Sequence, residues 1–128
     1  MAQKFIAVHA LDGYNVDGYD GYSPIFSLWH LEGFSCQAVF TGTPAGTIKL
    51  QVSNDPNDPT GKKWNDLDLA PTLGNWTDVA NSAQSVSAAG TFFWDYPQCN
   101  AAWVRCVFLH TGSSTAALTV NFVGKSWS

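Results

Sequence analysis

At 128 residues, with 45% hydrophobic and 14% aromatic content, the chain has the size of one domain and enough apolar mass for a core of its own. Its formal net charge is −4, and its six basic residues (Lys4, Lys49, Lys62, Lys63, Arg105, Lys125) are scattered. Displacing counterions from phosphates takes clustered Lys and Arg, so nucleic acid is not an expected partner; with no run of ~18 apolar residues, neither is a membrane.

The first nine residues contain no sustained apolar stretch, so no secretory leader is read there. Residues 12–22 hold three copies of Asp-Gly-Tyr, starting at Asp12, Asp17 and Asp20. That much glycine argues against a strand. Residues 1–24 are therefore expected to be an extended segment of turns that reaches a neighbour, with Tyr14, Tyr19 and Tyr22 as contact residues. Asp12, Asn15, Asp17 and Asp20 also raise the question of calcium, but the EF-hand spacing and a bidentate glutamate are missing.

From residue 25 onward the pattern is that of strands. Glu32 is the one glutamate, no apolar 3.6-residue period stands out, and Thr, Val, Phe, Trp, Gly and Ser dominate. Phe26 and Leu28 alternate with Ile25, Trp29 and Leu31, and Trp29, inside this strand-like run, is expected to pack in the core. Phe34, Cys36, Ala38 and Phe40 alternate with Ser35, Gln37 and Thr41. A turn at Thr41–Gly46 is expected to close a hairpin onto the next strand, in which Ile48, Leu50 and Val52 alternate with Lys49 and Gln51. A long loop at 54–75 follows, opening on a tandem Asn-Asp-Pro that forbids regular pairing. Trp64 and Trp76 each begin a similar tetrapeptide, and they are candidates for a ligand-stacking platform or for covers at the end of the fold. Ala88–Gly90 and Thr111–Ser114 read as further hairpin turns. Leu118, Val120 and Phe122 close the sequence as a last amphipathic strand.

The strand at 102–110 is apolar on both faces. Val104, Cys106 and Phe108 share one side, and Trp103, Val107 and Leu109 share the other with Arg105. One side must supply the core. The other is then covered by a loop or by another subunit. The sequence does not say which side points in. If Val104, Cys106 and Phe108 do, the outer side combines aromatic, aliphatic and arginine side chains as interface hot spots do, so Trp103, Arg105, Val107 and Leu109 are the expected interface.

Catalytic chemistry finds little support. Asp66 and Asp68 are two residues apart, about 7 Å in a strand, but a glycosidase pair comes from opposite walls of a cleft. Cys106 and His110 are too far apart along a strand to form a dyad. His9, His30 and His110 have no metal-ligand spacing, and no phosphate-binding loop or nucleophile elbow is present. Cys36, Cys99 and Cys106 fit free thiols in a chain made in a reducing cytosol, with a Cys36–Cys106 bridge between core strands as the geometric alternative. No cofactor is expected.

Several stretches resemble a known family. They are Gly33–Val39, Thr41–Asp55, the two Trp-x-Asp-Leu/Val segments, Ala88–Asp95 and Leu118–Lys125. Over about three-quarters of its length the chain resembles small β-sandwich virion proteins of tailed bacteriophages, of the head-decoration, head-fibre or tail-associated type. The doubled Trp-x-Asp element and the Asp-Gly-Tyr segment depart from that pattern.

The reading is an all-β, single-domain antiparallel β-sandwich, jelly-roll-like, with an N-terminal segment 1–24 and a sandwich 25–128. The resemblance implies a non-enzymatic virion protein made in the host cytoplasm. It would be held by protein–protein contacts to capsid or tail proteins and assembled as a homo-oligomer, a trimer by analogy. The alternative is an adhesin module that binds a carbohydrate or receptor, with Trp64 or Trp76 as its platform.

Overall fold

The computed structural model describes residues 3–29, 31–54 and 75–127. They form ten strands: β1 (Gln3–Asn15), β2 (Gly21–Tyr22), β3 (Phe26–Ser27), β4 (Gly33–Thr43), β5 (Gly46–Ser53), β6 (Thr77–Asp78), β7 (Gln84–Val86), β8 (Gly90–Tyr96), β9 (Trp103–His110) and β10 (Thr115–Trp127). One sheet has the order β1-β10-β4-β8. The other has β9 and β5 at its centre, with β2 and β3 along the free side of β9 and β6 and β7 along the free side of β5. All pairings are antiparallel. Counting β2/β3 and β6/β7 as two interrupted strands gives the eight-strand jelly-roll arrangement.

The interruptions have side-chain causes. Between β2 and β3, Ser23 Oγ accepts a hydrogen bond from the Cys106 amide, and Pro24 follows it. Between β6 and β7, Ser82 Oγ accepts from the Leu50 amide, standing in for the missing strand residue. The Trp94 indole N–H closes onto the Ser82 carbonyl at 2.9 Å.

The alternation sets the core. Phe34, Cys36, Ala38 and Phe40 from β4 meet Ile48 and Leu50 from β5, Val104, Cys106 and Phe108 from β9, and Leu118, Val120 and Phe122 from β10. Aromatic pairs tie the sheets together: Phe26 stacks on Phe122 with centroids 5.1 Å apart, and Phe40 meets Phe108 edge-on at 4.9 Å. Each such side chain, fully buried, contributes about 1.5–3 kcal/mol.

Three expectations change. The turns at Thr41–Gly46, Ala88–Gly90 and Thr111–Ser114 do not close hairpins, because the strands they join, β4–β5, β7–β8 and β9–β10, lie in different sheets. These turns are arches over the edge of the core. Pro44 is buried at the crown of the first, and Gly46 lies so close to the Leu109 carbonyl that no Cβ fits. The N-terminal segment is also no appendage: β1 is an edge strand of the first sheet and pairs with β10 from Gln3 to Asn15. Two register shifts absorb its glycine, and Gly13 takes a φ of 58°, which suits a bulge. The domain therefore starts at β1 and not at residue 25. Finally, Trp29 was expected in the core and is 57% exposed, because β3 ends at Ser27 and the chain turns away after the buried Leu28.

Candidate functional site

The outer face of the second sheet carries the most elaborate group of side chains. Ile48, Leu50, Val104, Cys106 and Phe108 point inward, so Lys49, Gln51, Trp103, Arg105, Val107 and Leu109 point outward. Of the two apolar sides of β9, the one that bears Trp103 emerges.

Arg105 is its centre, and it is only 4% exposed. Its guanidinium lies over the Tyr22 ring at 5.0 Å and over the Trp76 ring at 4.3 Å. Its Nε and Nη2 both donate to Gln51 Oε1, at 2.9 and 2.7 Å, across the β5–β9 pair. Gln51 in turn donates from Nε2 to Asp78 Oδ1 at 2.9 Å, and Lys49 Nζ reaches Asp78 Oδ2 at 2.9 Å. The network thus crosses three strands, with each polar group placed by the register. Burial draws the Arg105 pKa down to about 10, opposed by the neighbouring Tyr22, so the group stays cationic at neutral pH. The hydrogen bonds from Gln51 and then Lys49 hold the Asp78 carboxyl below its usual range.

Beside this network lies an aromatic pair. The half-buried Trp103 ring meets Trp29 edge-on, with centroids 6.3 Å apart. Trp29 is the more exposed partner, and this pair is the accessible apolar feature of the face. Val107 is fully covered and Leu109 half-buried, so the chain itself shields part of the strand.

The structure gathers some of the expected residues and separates others. Trp103, Arg105, Val107, Leu109 and Tyr22 share the face. Tyr14 lies on β1 in the other sheet and Tyr19 in the turn after it, both exposed. Trp76 offers one face to Arg105 and so is half-buried. Trp64, Asp66, Asp68, most of the 54–75 loop and His30 lie outside the described residues. Lys49, Gln51, Asp78 and Trp29 were not anticipated. The polar side of the β5 alternation was a signal for the first two. Nothing in the sequence brings Asp78 beside them.

The oxygen donors of the Asp-Gly-Tyr segment each take a different partner. Asn15 Oδ1 accepts from the Asp17 amide at 2.8 Å, and Asp17 Oδ1 from the Ala116 amide at 2.6 Å. Asp20 Oδ1 meets both the backbone and the ring Nδ1 of His110, and Asp12 lies 3.3 Å from His9. They tie down the β1–β2 turn and do not converge on one point. Among the described residues no three His, Cys, Asp or Glu side chains are placed to hold a metal ion.

No protein-family model matches the chain, and no curated protein matches it by sequence. Among solved structures, it is similar to the SPBc2 prophage-derived protein YomS, with 14% identity over 98% of this chain and 94% of that one, at a TM-score of 0.51. A chitosan-binding module from a chitosanase/glucanase of Paenibacillus sp. IK-5 aligns at 16% identity over 94% and 93%, with a TM-score of 0.48. A Bacillus endospore appendage protein, from disulfide-linked pili, aligns at 11% identity over 99% and 88%, with a TM-score of 0.47. At such identities the likeness to YomS is one of fold.

Proposed function

We propose that the chain is a non-enzymatic structural protein of a bacteriophage particle, which docks other particle proteins through the outer face of its six-stranded sheet. The observation that carries this reading is the Trp29–Trp103 pair, an exposed aromatic feature on a rigid sheet beside a braced arginine. Aromatic side chains with a well-held polar surround supply most of the binding energy at protein interfaces. The family resemblance of the sequence supports the same reading, as does a fold neighbour that is prophage-derived. The partners are capsid or tail proteins, the assembly a homo-oligomer such as a trimer, and the location the virion.

Incorporation into particles tests this. Trp29→Ala and Trp103→Ala are expected to reduce incorporation at least tenfold while lowering stability by less than about 1.5 kcal/mol. Trp94→Ala does the reverse, costing about 3–5 kcal/mol of stability from the core. Normal incorporation of both surface variants, with the protein monomeric at micromolar concentration, removes the proposal.

A second reading is favoured by the same aromatic pair, since a sugar ring stacks on an exposed indole and takes hydrogen bonds from neighbouring polar groups. The platform is then Trp29 with Trp103 rather than Trp76, whose ring already stacks on Arg105. Calorimetric titration with soluble oligosaccharides separates the two: saturable binding abolished by Trp29→Ala, with unchanged particle incorporation, selects the glycan reading.

A further inference from the structure

We infer that Cys36 and Cys106 are a disulfide-forming site, which locks the two sheets together when the chain folds in the presence of a small-molecule disulfide. Cys36 sits in the middle of β4 and Cys106 in the middle of β9, so the two belong to opposite sheets. Both point into the core, 0% and 1% exposed, and both are free thiols in this structure. Both belong to the one core cluster between the sheets, and the Cys106 thiol is the neighbour that acts most strongly on the Cys36 thiol. The sequence alone left this pair as one alternative among three cysteines. The register of two separate sheets is what brings them face to face.

The surroundings suit a bridge. Trp94 is the cross-strand partner of Cys36 and packs in the core with its indole N–H anchored. A buried tryptophan beside an inter-sheet cystine is the arrangement that antibody domains use. Cys99 is only half-buried, in the segment between β8 and β9, and its amide is held by the Glu32 carbonyl. It is the odd thiol left over.

The chemistry is two successive exchanges with glutathione disulfide. One cysteine thiolate attacks a sulfur of the oxidant, forming a mixed disulfide and releasing one glutathione thiolate. The second cysteine thiolate then attacks the mixed disulfide at the protein sulfur and releases the other. One S–S bond forms in the protein and one is lost from the oxidant. Two electrons pass from the protein sulfurs to glutathione, and the two thiol protons end on the leaving thiolates. Cys36 and Cys106 are both sealed in the core, out of reach of a dissolved oxidant, and the adjacent Cys106 thiol and burial push the Cys36 pKa far up. The bridge therefore closes during folding or through opening of the sandwich, and once closed it is shielded from reductants in the same way.

It would close a loop of about 70 residues, and cross-links of that span restrict the unfolded chain strongly. The inference does not depend on the particle role proposed above.

The test uses the full chain, unfolded and then refolded either with reduced glutathione alone or with a reduced–oxidised glutathione mixture. The oxidised product is expected to keep one alkylatable thiol after denaturation and to yield a peptide joining Cys36 to Cys106. It should melt about 10 °C above the reduced form. Cys99→Ser should behave identically, which keeps the test valid if Cys36→Ala or Cys106→Ala folds poorly. In the folded, reduced chain given the same mixture, Cys36 and Cys106 should both stay thiols for hours. Three thiols after oxidative refolding, a cross-link that involves Cys99, or a bridged form that melts no higher than the reduced one would each overturn the inference.

Discussion

Arg105 shows how much one side chain on a sheet surface can organise. A charge that is 4% exposed is costly unless it is paired, and here the cost is offset by Gln51 and by two aromatic faces. Lysine cannot reproduce that set, since it lacks the flat surface for the stack and the fork that reaches Gln51 twice. Arg105→Lys is therefore expected to cost about 2–3 kcal/mol in urea unfolding, and a loss below about 0.5 kcal/mol would show that the stack is incidental. The sequence marked Arg105 as unusual because it interrupts an apolar strand face. It did not mark Gln51, its partner 54 residues away, because cross-strand pairs depend on a register that local alternation does not fix.

Among the strands, β1 departs furthest from the sequence reading. Three Asp-Gly-Tyr repeats looked like turns, and one of them is: Gly18 lies in the turn after β1, whereas Gly13 sits in a bulge within β1, both with left-handed backbone. The third is strand, with Gly21 and Tyr22 paired to Phe108 and Val107. A bulge lets a glycine sit inside a strand without ending it, and this is why composition misled. The consequence is testable by truncation. A chain beginning at residue 16 would uncover the edge of β10 along its pairing from Ala117 to Trp127. It is expected to lose cooperative unfolding or to aggregate, as bare hydrophobic edges do. If it melts like the full chain, β1 is the appendage that the sequence suggested. The arches follow the same logic, since a Gly-Pro-rich turn reads alike whether the next strand pairs beside the last or crosses to the facing sheet.

For the whole molecule, the order β1-β10-β4-β8 joins the two ends of the chain in one sheet, and the arches make most neighbours distant in sequence. Such contacts must wait for large loops to close, so folding followed by tryptophan fluorescence should take milliseconds to seconds. Completion within microseconds would be incompatible with this topology. The sequence by itself determined the all-β class and the inward sides of β4, β5 and β10, because alternation with period two is a local consequence of the pleat and of burying one face. It also determined that β9 is apolar on both sides, while leaving open which side faces out. Only the tertiary structure decided which strands share a sheet, that the N-terminus is a strand, that Trp29 is outside, and that Asp78 completes the Arg105 network. It also decided that Cys36 meets Cys106. Each of these depends on contacts between residues far apart in the chain, whose free energy exists only once both sheets have formed and packed.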